Sequence, residues 1–179
     1  MKRIVADPAK CMACRACGIA CALAHAEGED LVEAILEGAR PRVYVEAAGK
    51  LAVPLQCRHC EDAPCVRVCP SGALSRAGED EPVLVDQDRC IGCAFCVQVC
   101  PFGVIRLAGR GKAMSADRQV AGLKAVIKCD LCASLRAEGR EPACVTACPV
   151  GALSFEEVEA SAKRTRARAA AAAACEGKR

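Results

Sequence analysis

Short runs of β-favouring apolar residues recur along the first 155 residues of the chain. Three of these runs, at residues 4–7, 83–86 and 125–128, stand shortly before a group of cysteines, and three more, at 73–74, 104–105 and 152–153, follow such a group. Short apolar runs bounded by glycine, proline or aspartate are typical of strands. The pattern predicts repeated units, each with a leading strand, a cysteine loop, a helix of one or two turns and a second strand.

Two segments interrupt this repeat. Within residues 22–56, the apolar positions of residues 30–37 recur at helical spacing, and Gly38 ends the pattern. Residues 42–45 and 50–53 flank residues 46–49 and predict a hairpin. Residues 107–124 are rich in glycine and charge, which is typical of a surface loop.

The tail from Ser154 to Arg179 has the features of a helix of about 20 residues. Ser154 and Glu157 match a capping box, and the acidic residues precede the basic ones, as the helix dipole favours. After Val158 the apolar residues are almost all alanine, so the helix has little to bury against its own core. We predict either a solvated helix or one that docks on another subunit, including a second copy of the chain.

Cysteine accounts for 17 of the 179 residues, far above ordinary usage. Sixteen of the cysteines form four groups of four, and Cys175 is left over as a predicted free thiol. In chain order the groups are Cys11, Cys14, Cys17, Cys21; Cys57, Cys60, Cys65, Cys69; Cys90, Cys93, Cys96, Cys100; and Cys129, Cys132, Cys144, Cys148.

Large apolar side chains are scarce, because 36 alanines and 17 cysteines make up most of the 53% hydrophobic content. We therefore expect something besides apolar burial to stabilise the fold. The sequence has no apolar run of about 18 residues, so we expect no membrane span. It also has no long apolar stretch behind Met1, so we expect no signal peptide. The expected compartment is the cytoplasm, where thiols stay reduced, so the cysteines point to metal rather than disulfides.

The third group follows the pattern Cys-x2-Cys-x2-Cys-x3-Cys-Pro from Cys90 to Pro101. In bacterial ferredoxins such a run supplies three thiolates to one cluster, and its fourth cysteine ligates the neighbouring cluster. A structural zinc site usually pairs two Cys-x2-Cys elements a dozen or more residues apart, so three cysteines at this spacing would waste one. The four groups therefore favour [4Fe–4S] clusters over zinc.

The exchange of fourth cysteines assigns ligands to four clusters. Groups two and three are adjacent, which assigns one cluster to Cys57, Cys60, Cys65 and Cys100 and another to Cys90, Cys93, Cys96 and Cys69. By elimination, groups one and four supply Cys11, Cys14, Cys17 and Cys148 to a third cluster and Cys129, Cys132, Cys144 and Cys21 to a fourth. From spacing alone, the rival pairing of group one with two and three with four is also possible.

The net charge of +3 changes its meaning if clusters are bound. Each oxidised cluster with its four thiolates carries about −2, so a chain with four of them would be near −5. The charge of the apoprotein therefore predicts no nucleic-acid partner.

The stretch from Cys57 to Pro70, followed by Cys90-Ile91-Gly92-Cys93, resembles the four-cluster iron–sulfur electron-transfer subunits of molybdenum and tungsten oxidoreductases, hydrogenases and carbon monoxide dehydrogenases. The resemblance covers residues 3–155 and favours pairing group one with four and two with three. It implies an α+β fold of tandem bacterial-type two-cluster ferredoxin modules over residues 1–153, with an inserted helix and hairpin at 22–56 and a helical tail at 154–179. Cys93 is kept, which implies four cubanes, whereas Ala22 replaces the proline that follows the other groups.

The chain most resembles the short soluble members that serve tungsten aldehyde oxidoreductases and nickel carbon monoxide dehydrogenases. This resemblance implies a subunit without catalysis of its own, which relays single electrons between a catalytic subunit and an acceptor such as a flavoprotein. The favoured partner is a tungsten aldehyde oxidoreductase; carbon monoxide dehydrogenase, formate dehydrogenase and hydrogenase are alternatives. Another class, an iron–sulfur sensor with a basic tail, would usually use one labile cluster.

Several polar residues lie beside the predicted ligands. His59 is expected either to donate a hydrogen bond to a cluster sulfur or to lie at a subunit contact, and His25 is expected at the surface. Five basic residues next to ligands either offset cluster charge or are incidental: Arg15, Arg58, Arg67, Arg89 and Lys128.

Overall fold

The computed structural model describes residues 2–28, 30–109 and 124–176, with side chains to residue 174. Short strands and helices alternate along these residues. The strands are β1 (Lys2–Ala6), β2 (Val43–Ala48), β3 (Leu51–Gln56), β4 (Leu74–Ser75), β5 (Leu84–Val85), β6 (Arg106–Gly109), β7 (Lys124–Ile127) and β8 (Leu153–Glu157). The helices are α1 (Ala16–Leu23), α2 (Leu31–Leu36), α3 (Pro64–Arg67), α4 (Phe95–Val99), α5 (Ala133–Ala137), α6 (Ala143–Thr146) and α7 (Val158–Glu176).

The described strands form four two-stranded antiparallel sheets, β1–β8, β2–β3, β4–β5 and β6–β7. Sheet β1–β8 joins the start of the chain to the stretch after the last cysteine group, with Ile4 opposite Phe155. Sheet β4–β5 connects groups two and three, and β6–β7 connects groups three and four. The chain is therefore nested, with groups two and three enclosed between groups one and four.

The buried side chains form two separate cores, one around groups two and three and the other around groups one and four. One core packs Cys65, Cys90 and Cys96 with Leu74 and Ile105. The other packs four buried cysteines of groups one and four with Ile4 and Leu153; these cysteines are Cys17, Cys21, Cys129 and Cys144. Thiols therefore occupy much of the space that large apolar side chains fill in an ordinary domain.

The predicted helix and hairpin within residues 22–56 are both present. Helix α2 begins after Asp30, whose Oδ1 accepts a hydrogen bond of 2.8 Å from the backbone N–H of Glu33. The predicted hairpin turn at residues 46–49 is wrong, because residues 46–48 pair with β3 up to Ala48 opposite Leu51. The turn is instead made at Gly49 and Lys50, where the positive φ of Gly49 permits two-residue closure.

The predicted surface loop at residues 107–124 is wrong at both of its ends. Residues 107–109 belong to β6 and Lys124 belongs to β7, so β6 and β7 pair from Arg106 opposite Ile127 to Gly109 opposite Lys124. The remainder of this prediction lies outside the described residues.

The predicted capping box at Ser154 is wrong. Residues 154–157 lie in β8, which crosses the boundary expected between core and tail and pairs along its whole length with β1. Ser154 donates its hydroxyl to Glu156 at 2.8 Å rather than capping a helix. The backbone groups here bond to a distant strand, which overrides the local capping signal.

Helix α7 has 19 residues, which confirms the predicted tail helix with a later start. It lies beside β1 and β8, where Arg164 donates to Glu156 at 2.6 Å and Arg168 pairs with Asp7 at 3.2 Å. The alanines at 169–174 are exposed, and their docking on another subunit stays a prediction. No helix in the described part of the chain is long and apolar enough to cross a membrane.

Candidate metal centres

The cysteine loops share an unusual backbone conformation. In group one, Ala13 (φ 61°) and Arg15 (φ 60°) are left-handed, and Gly92 (φ 71°) and Ala94 (φ 65°) hold the same loop positions in group three. The residue before the second cysteine is also left-handed in the other two groups, at His59 and Leu131. A non-glycine residue in this region costs about 1–3 kcal/mol, so its surroundings must hold it there. The first left-handed turn of the loop is therefore built in all four groups from different residues, and groups one and three share a second left-handed position.

This loop shape directs backbone donors at cysteine sulfurs. His59 donates its backbone N–H to Cys57 Sγ at 3.4 Å, and Leu131 donates its backbone N–H to Cys129 Sγ at 3.4 Å. Cys21 and Cys90 receive backbone N–H groups from distant segments, from Arg42 at 3.2 Å and from Val126 at 3.5 Å. Cys148 receives one from Ala152, four residues later, at 3.1 Å. Such donors favour the thiolate, which is the form that binds metal.

Gly92 combines the left-handed conformation with a close approach, since a Cβ there would meet the backbone carbonyl oxygen of Lys124. Gly92→Ala is expected to destabilise the holoprotein by about 2–4 kcal/mol, because it adds a backbone clash to the left-handed penalty. The matched control is Gly103→Ala, where φ is 61° and nothing lies within 4 Å. It should cost only about 1–2 kcal/mol. Thermal unfolding of both variants tests this, and equal losses would show that the contact with Lys124 is irrelevant.

Short helices place the last two cysteines of each group one turn apart. Helix α1 carries Cys17 and Cys21 on one face, because residues at i and i+4 are neighbours. The same four-residue spacing recurs around α3, α4 and α6, at Cys65 and Cys69, Cys96 and Cys100, and Cys144 and Cys148. Helix α1 packs against α6, and α3 packs against α4. In each packed pair of helices, each helix can therefore offer one cysteine to each of two neighbouring sites.

Groups one and four come together around α1 and α6. Burial raises the pKa of the Cys17 thiol, and so does the negative charge of its neighbours Cys11, Cys14 and Cys148. Burial also raises the pKa of Cys144, and the neighbouring thiols that add to this effect are Cys129, Cys21, Cys132 and Cys17. We call Cys11, Cys14, Cys17 and Cys148 set A, and Cys129, Cys132, Cys144 and Cys21 set B.

Groups two and three come together around α3 and α4. Burial raises the pKa of Cys65, and the charges of Cys57 and Cys100 add to this. Burial raises the pKa of Cys96 to about 11, with contributions from Cys90, Cys93, Cys65 and Cys69. We call Cys57, Cys60, Cys65 and Cys100 set C, and Cys90, Cys93, Cys96 and Cys69 set D. Cys60 joins set C by its position three residues after Cys57.

The four sets form a row in the order A, B, C, D. Cys17 of set A influences Cys144 of set B, and Cys65 of set C influences Cys96 of set D. Sets B and C meet at Cys57, whose charge contributes to raising the pKa of Cys129 to about 12, mainly a result of burial. Cys14 in set A and Cys93 in set D are exposed. The row therefore reaches the surface at both ends.

The chemistry of the donors fits iron–sulfur clusters. Buried thiols whose pKa lies near 11 or 12 stay protonated at neutral pH unless a metal takes the place of the proton. Each set offers four soft sulfur donors, the ligation that [4Fe–4S] clusters require. The cysteines after α3 and α6 are different: burial opposes but backbone hydrogen bonds prevail, and the pKa values of Cys69 and Cys148 are lowered.

His59 lies in the interior of the protein. Its expected place at a subunit contact is wrong, because only 1% of the residue is exposed. Burial, with the charges of Lys128 and Arg3, lowers the pKa of His59 to about 2, so the ring is neutral. Neither ring nitrogen has a hydrogen-bond partner of good geometry among the described residues, although the Val83 carbonyl is near. Donation from the ring to a cluster sulfur stays a prediction.

The surface position expected for His25 is also wrong, since only 10% of its side chain is exposed. His25 Nδ1 lies 2.7 Å from the Cys21 carbonyl oxygen, and Nε2 lies 3.0 Å from Asp130 Oδ1. Burial opposes protonation, but bonds to Asp130 and Cys21 prevail and raise the pKa of His25 to about 9. Arg42 also pairs with Asp130 at 2.8 Å. Sequence reasoning missed Asp130, although its place inside a Cys-x2-Cys loop is a signal.

A sequence profile described as "4Fe-4S dicluster domain" matches residues 49–158. The chain belongs to this dicluster family. The match covers more than half of the chain and includes the cysteines of sets C and D together with Cys129, Cys132, Cys144 and Cys148. The expected ferredoxin-type iron–sulfur domain is therefore confirmed.

Curated relatives of this member of the dicluster family have names that refer to electron transport or to iron–sulfur proteins. The electron transport protein HydN of Escherichia coli K12 is 40% identical over 175 residues, covering 90% of this chain and 94% of HydN. An iron–sulfur protein of Rhodospirillum rubrum is 39% identical over 164 residues, covering 88% and 83% of the two chains. The thiosulfate reductase electron transfer subunit PhsB of Salmonella typhi is 38% identical over 157 residues, covering 87% and 75%. The chain is thus an electron-transfer iron–sulfur protein of the kind found in oxidoreductase systems.

Proposed function

We propose that this chain carries four [4Fe–4S] clusters and relays single electrons within an oxidoreductase complex. The observation that carries the proposal is the row of sets A, B, C and D, with exposed cysteines at both ends. A relay needs an inner path shielded from water and an accessible site for each redox partner. The four buried cysteines of set B and buried Cys65 of set C meet the first need, and Cys14 and Cys93 meet the second.

We further propose that each set supplies all four ligands of one cluster, as the exchange of fourth cysteines predicts. The influence of the Cys148 charge on Cys17 and of the Cys100 charge on Cys65 supports this assignment. The two cores support it as well, since each combines cysteines of the two groups that exchange ligands. A bound cluster supplies one-electron redox chemistry. The residues of this chain bury it, direct backbone N–H groups at its sulfur ligands and exclude water.

For the partners we propose a catalytic subunit and a redox acceptor such as a flavoprotein, and no catalysis by this chain itself. The favoured catalytic subunit is a tungsten aldehyde oxidoreductase; carbon monoxide dehydrogenase, formate dehydrogenase and hydrogenase are alternatives. This order follows the resemblance of the chain to short soluble subunits. Anaerobic copurification of the chain from its own cells tests it, because the large subunit that accompanies the chain identifies the enzyme.

Anaerobically purified protein is expected to contain about 16 iron and 16 sulfide per chain, four of each for every thiol set. Cys175→Ser should keep the full iron content, because this cysteine belongs to none of the sets. Elemental analysis with a sulfide assay makes the measurement. Zinc in place of iron, or only eight irons, would contradict four clusters, and one labile cluster would favour a sensor.

A further inference from the structure

Three basic side chains from distant parts of the chain converge on the group-two loop. Arg3 in β1 donates to the His59 carbonyl oxygen at 3.4 Å, and Arg76 donates to the same oxygen at 2.9 Å and also to the Cys60 carbonyl oxygen. Lys128, which follows β7, lies close enough to His59 for its charge to act on the ring. We call Arg3, Arg76 and Lys128 the cation cluster.

Lys128 is buried, and no described acidic side chain pairs with it. The residue is 2% exposed, and its Nζ donates to the Cys129 carbonyl oxygen at 2.9 Å and to the Val83 carbonyl oxygen. In the described part of the chain no carboxylate forms an ion pair with it. Burying an ammonium among neutral groups is costly, so such a charge requires a counter-charge nearby.

The thiols of set C, once ionised, are negative groups on which the charge of the cation cluster acts. Lys128 acts to lower the pKa of Cys65, against the larger effect of burial. Arg3 is also buried, and the negative charge of Cys57 acts to raise the pKa of Arg3, against the larger effect of burial. Asp80 offsets part of the charge of Arg3. The net positive charge of the cation cluster therefore faces set C.

Among the described residues, sets A and D have no buried basic residue before their first cysteine that matches Lys128. Lys10 and Arg89 occupy the position of Lys128 before the first cysteine of their groups, but both are exposed, where water and salt screen their charge. Set B has a carboxylate, Asp130, whose negative charge contributes to raising the pKa values of Cys129 and Cys132. Set C therefore faces the cation cluster, whereas set B has a carboxylate beside it that Arg42 partly offsets.

We propose that the cation cluster gives the iron–sulfur cluster bound by set C the highest reduction potential of the four clusters. The first electron that enters the row then reduces this cluster. This inference rests on the proposed function. Reduction adds one electron, given by a low-potential one-electron donor, and therefore one negative charge to the bound group. A buried positive charge stabilises that added charge far more than an exposed one does. No proton or bond rearrangement accompanies the step.

The test is a redox titration of the anaerobic holoprotein with dithionite, followed by electron paramagnetic resonance. Lys128→Gln removes the charge and keeps a donor for the two carbonyl oxygens. In this variant, the midpoint potential of the cluster that is reduced first should be about 59 mV lower. At a fixed potential, this equals a fall of about tenfold in the ratio of its reduced to its oxidised form. Lys10→Gln, the same substitution at the equivalent exposed position, should leave all midpoints unchanged. The first-reduced signal should be the one lost in Cys60→Ser.

An unchanged first midpoint in Lys128→Gln with full iron content would overturn the proposal, and so would loss of a different signal in Cys60→Ser. If Lys128→Gln binds less iron, Arg76→Gln takes over the test, and its first midpoint must also fall. An unchanged midpoint there would equally overturn the proposal. A wild-type chain without clusters would refute the proposed function instead, so the two failures are distinguishable.

Discussion

Removal of iron and sulfide is expected to abolish the cooperative thermal unfolding of this chain. Both cores are built around buried cysteines, and the sheets that connect them have two strands each, an arrangement that is marginal by itself. Structural zinc in small domains contributes about 10 kcal/mol or more to folding. That is comparable with the whole stability of a domain, about 5–15 kcal/mol. Metal binding and folding should therefore be one event.

Differential scanning calorimetry of the holoprotein and the chelated protein, both anaerobic, measures this directly. The holoprotein should give one or two cooperative transitions and the apoprotein none, and reconstitution with iron and sulfide should restore them. A transition of the apoprotein at the same temperature as that of the holoprotein would show that apolar burial alone is sufficient.

Cys100→Ser is expected to remove the cluster of set C and spare that of set D, which its own loop supplies. Cys100 follows α4, one turn after Cys96, and its charge acts on Cys65 across the packed α3–α4 pair. Iron content should fall from about 16 to about 12 per chain. The titration should lose the first-reduced signal.

The matched variant is Cys93→Ser, which changes a cysteine of the same group that belongs to set D. It should remove a different signal and leave the first-reduced one in place. Electron paramagnetic resonance of both variants with iron analysis decides the assignment. If the two variants lose the same signal, group three supplies a single cluster and the exchange of ligands is wrong.

Local patterns predicted what short-range chemistry determines. The cysteine groups follow from spacing, and α2 follows from apolar periodicity with Asp30 as its cap. The strand at residues 154–157 could not be predicted in this way, because its partner β1 lies about 150 residues earlier and its own residues carry a strong helix signal. Pairing with a remote strand outweighed that local preference.

The candidate sites show the same division. The four cysteine groups were predictable from the motif, but spacing alone left the pairing of the groups open. The packing of α1 with α6 and of α3 with α4 favours pairing group one with four and two with three, and the ligation itself stays a prediction. The surroundings of the sets were not predictable. His59 is buried, and Arg3 in β1 and Arg76 just after β4 reach its carbonyl oxygen from segments that no local pattern relates. Only the assembled fold brings such charges together.

The nesting of the chain also imposes an order on its biosynthesis. Sets C and D require no cysteine beyond Cys100, so both can be completed while the second half of the chain is still being translated. Sets A and B need cysteines up to Cys148, and β1 has no partner until β8 emerges from the ribosome. Until then β1 is an unpaired edge, open to wrong pairing. The enclosed half of the chain can therefore receive its clusters before the outer half is complete.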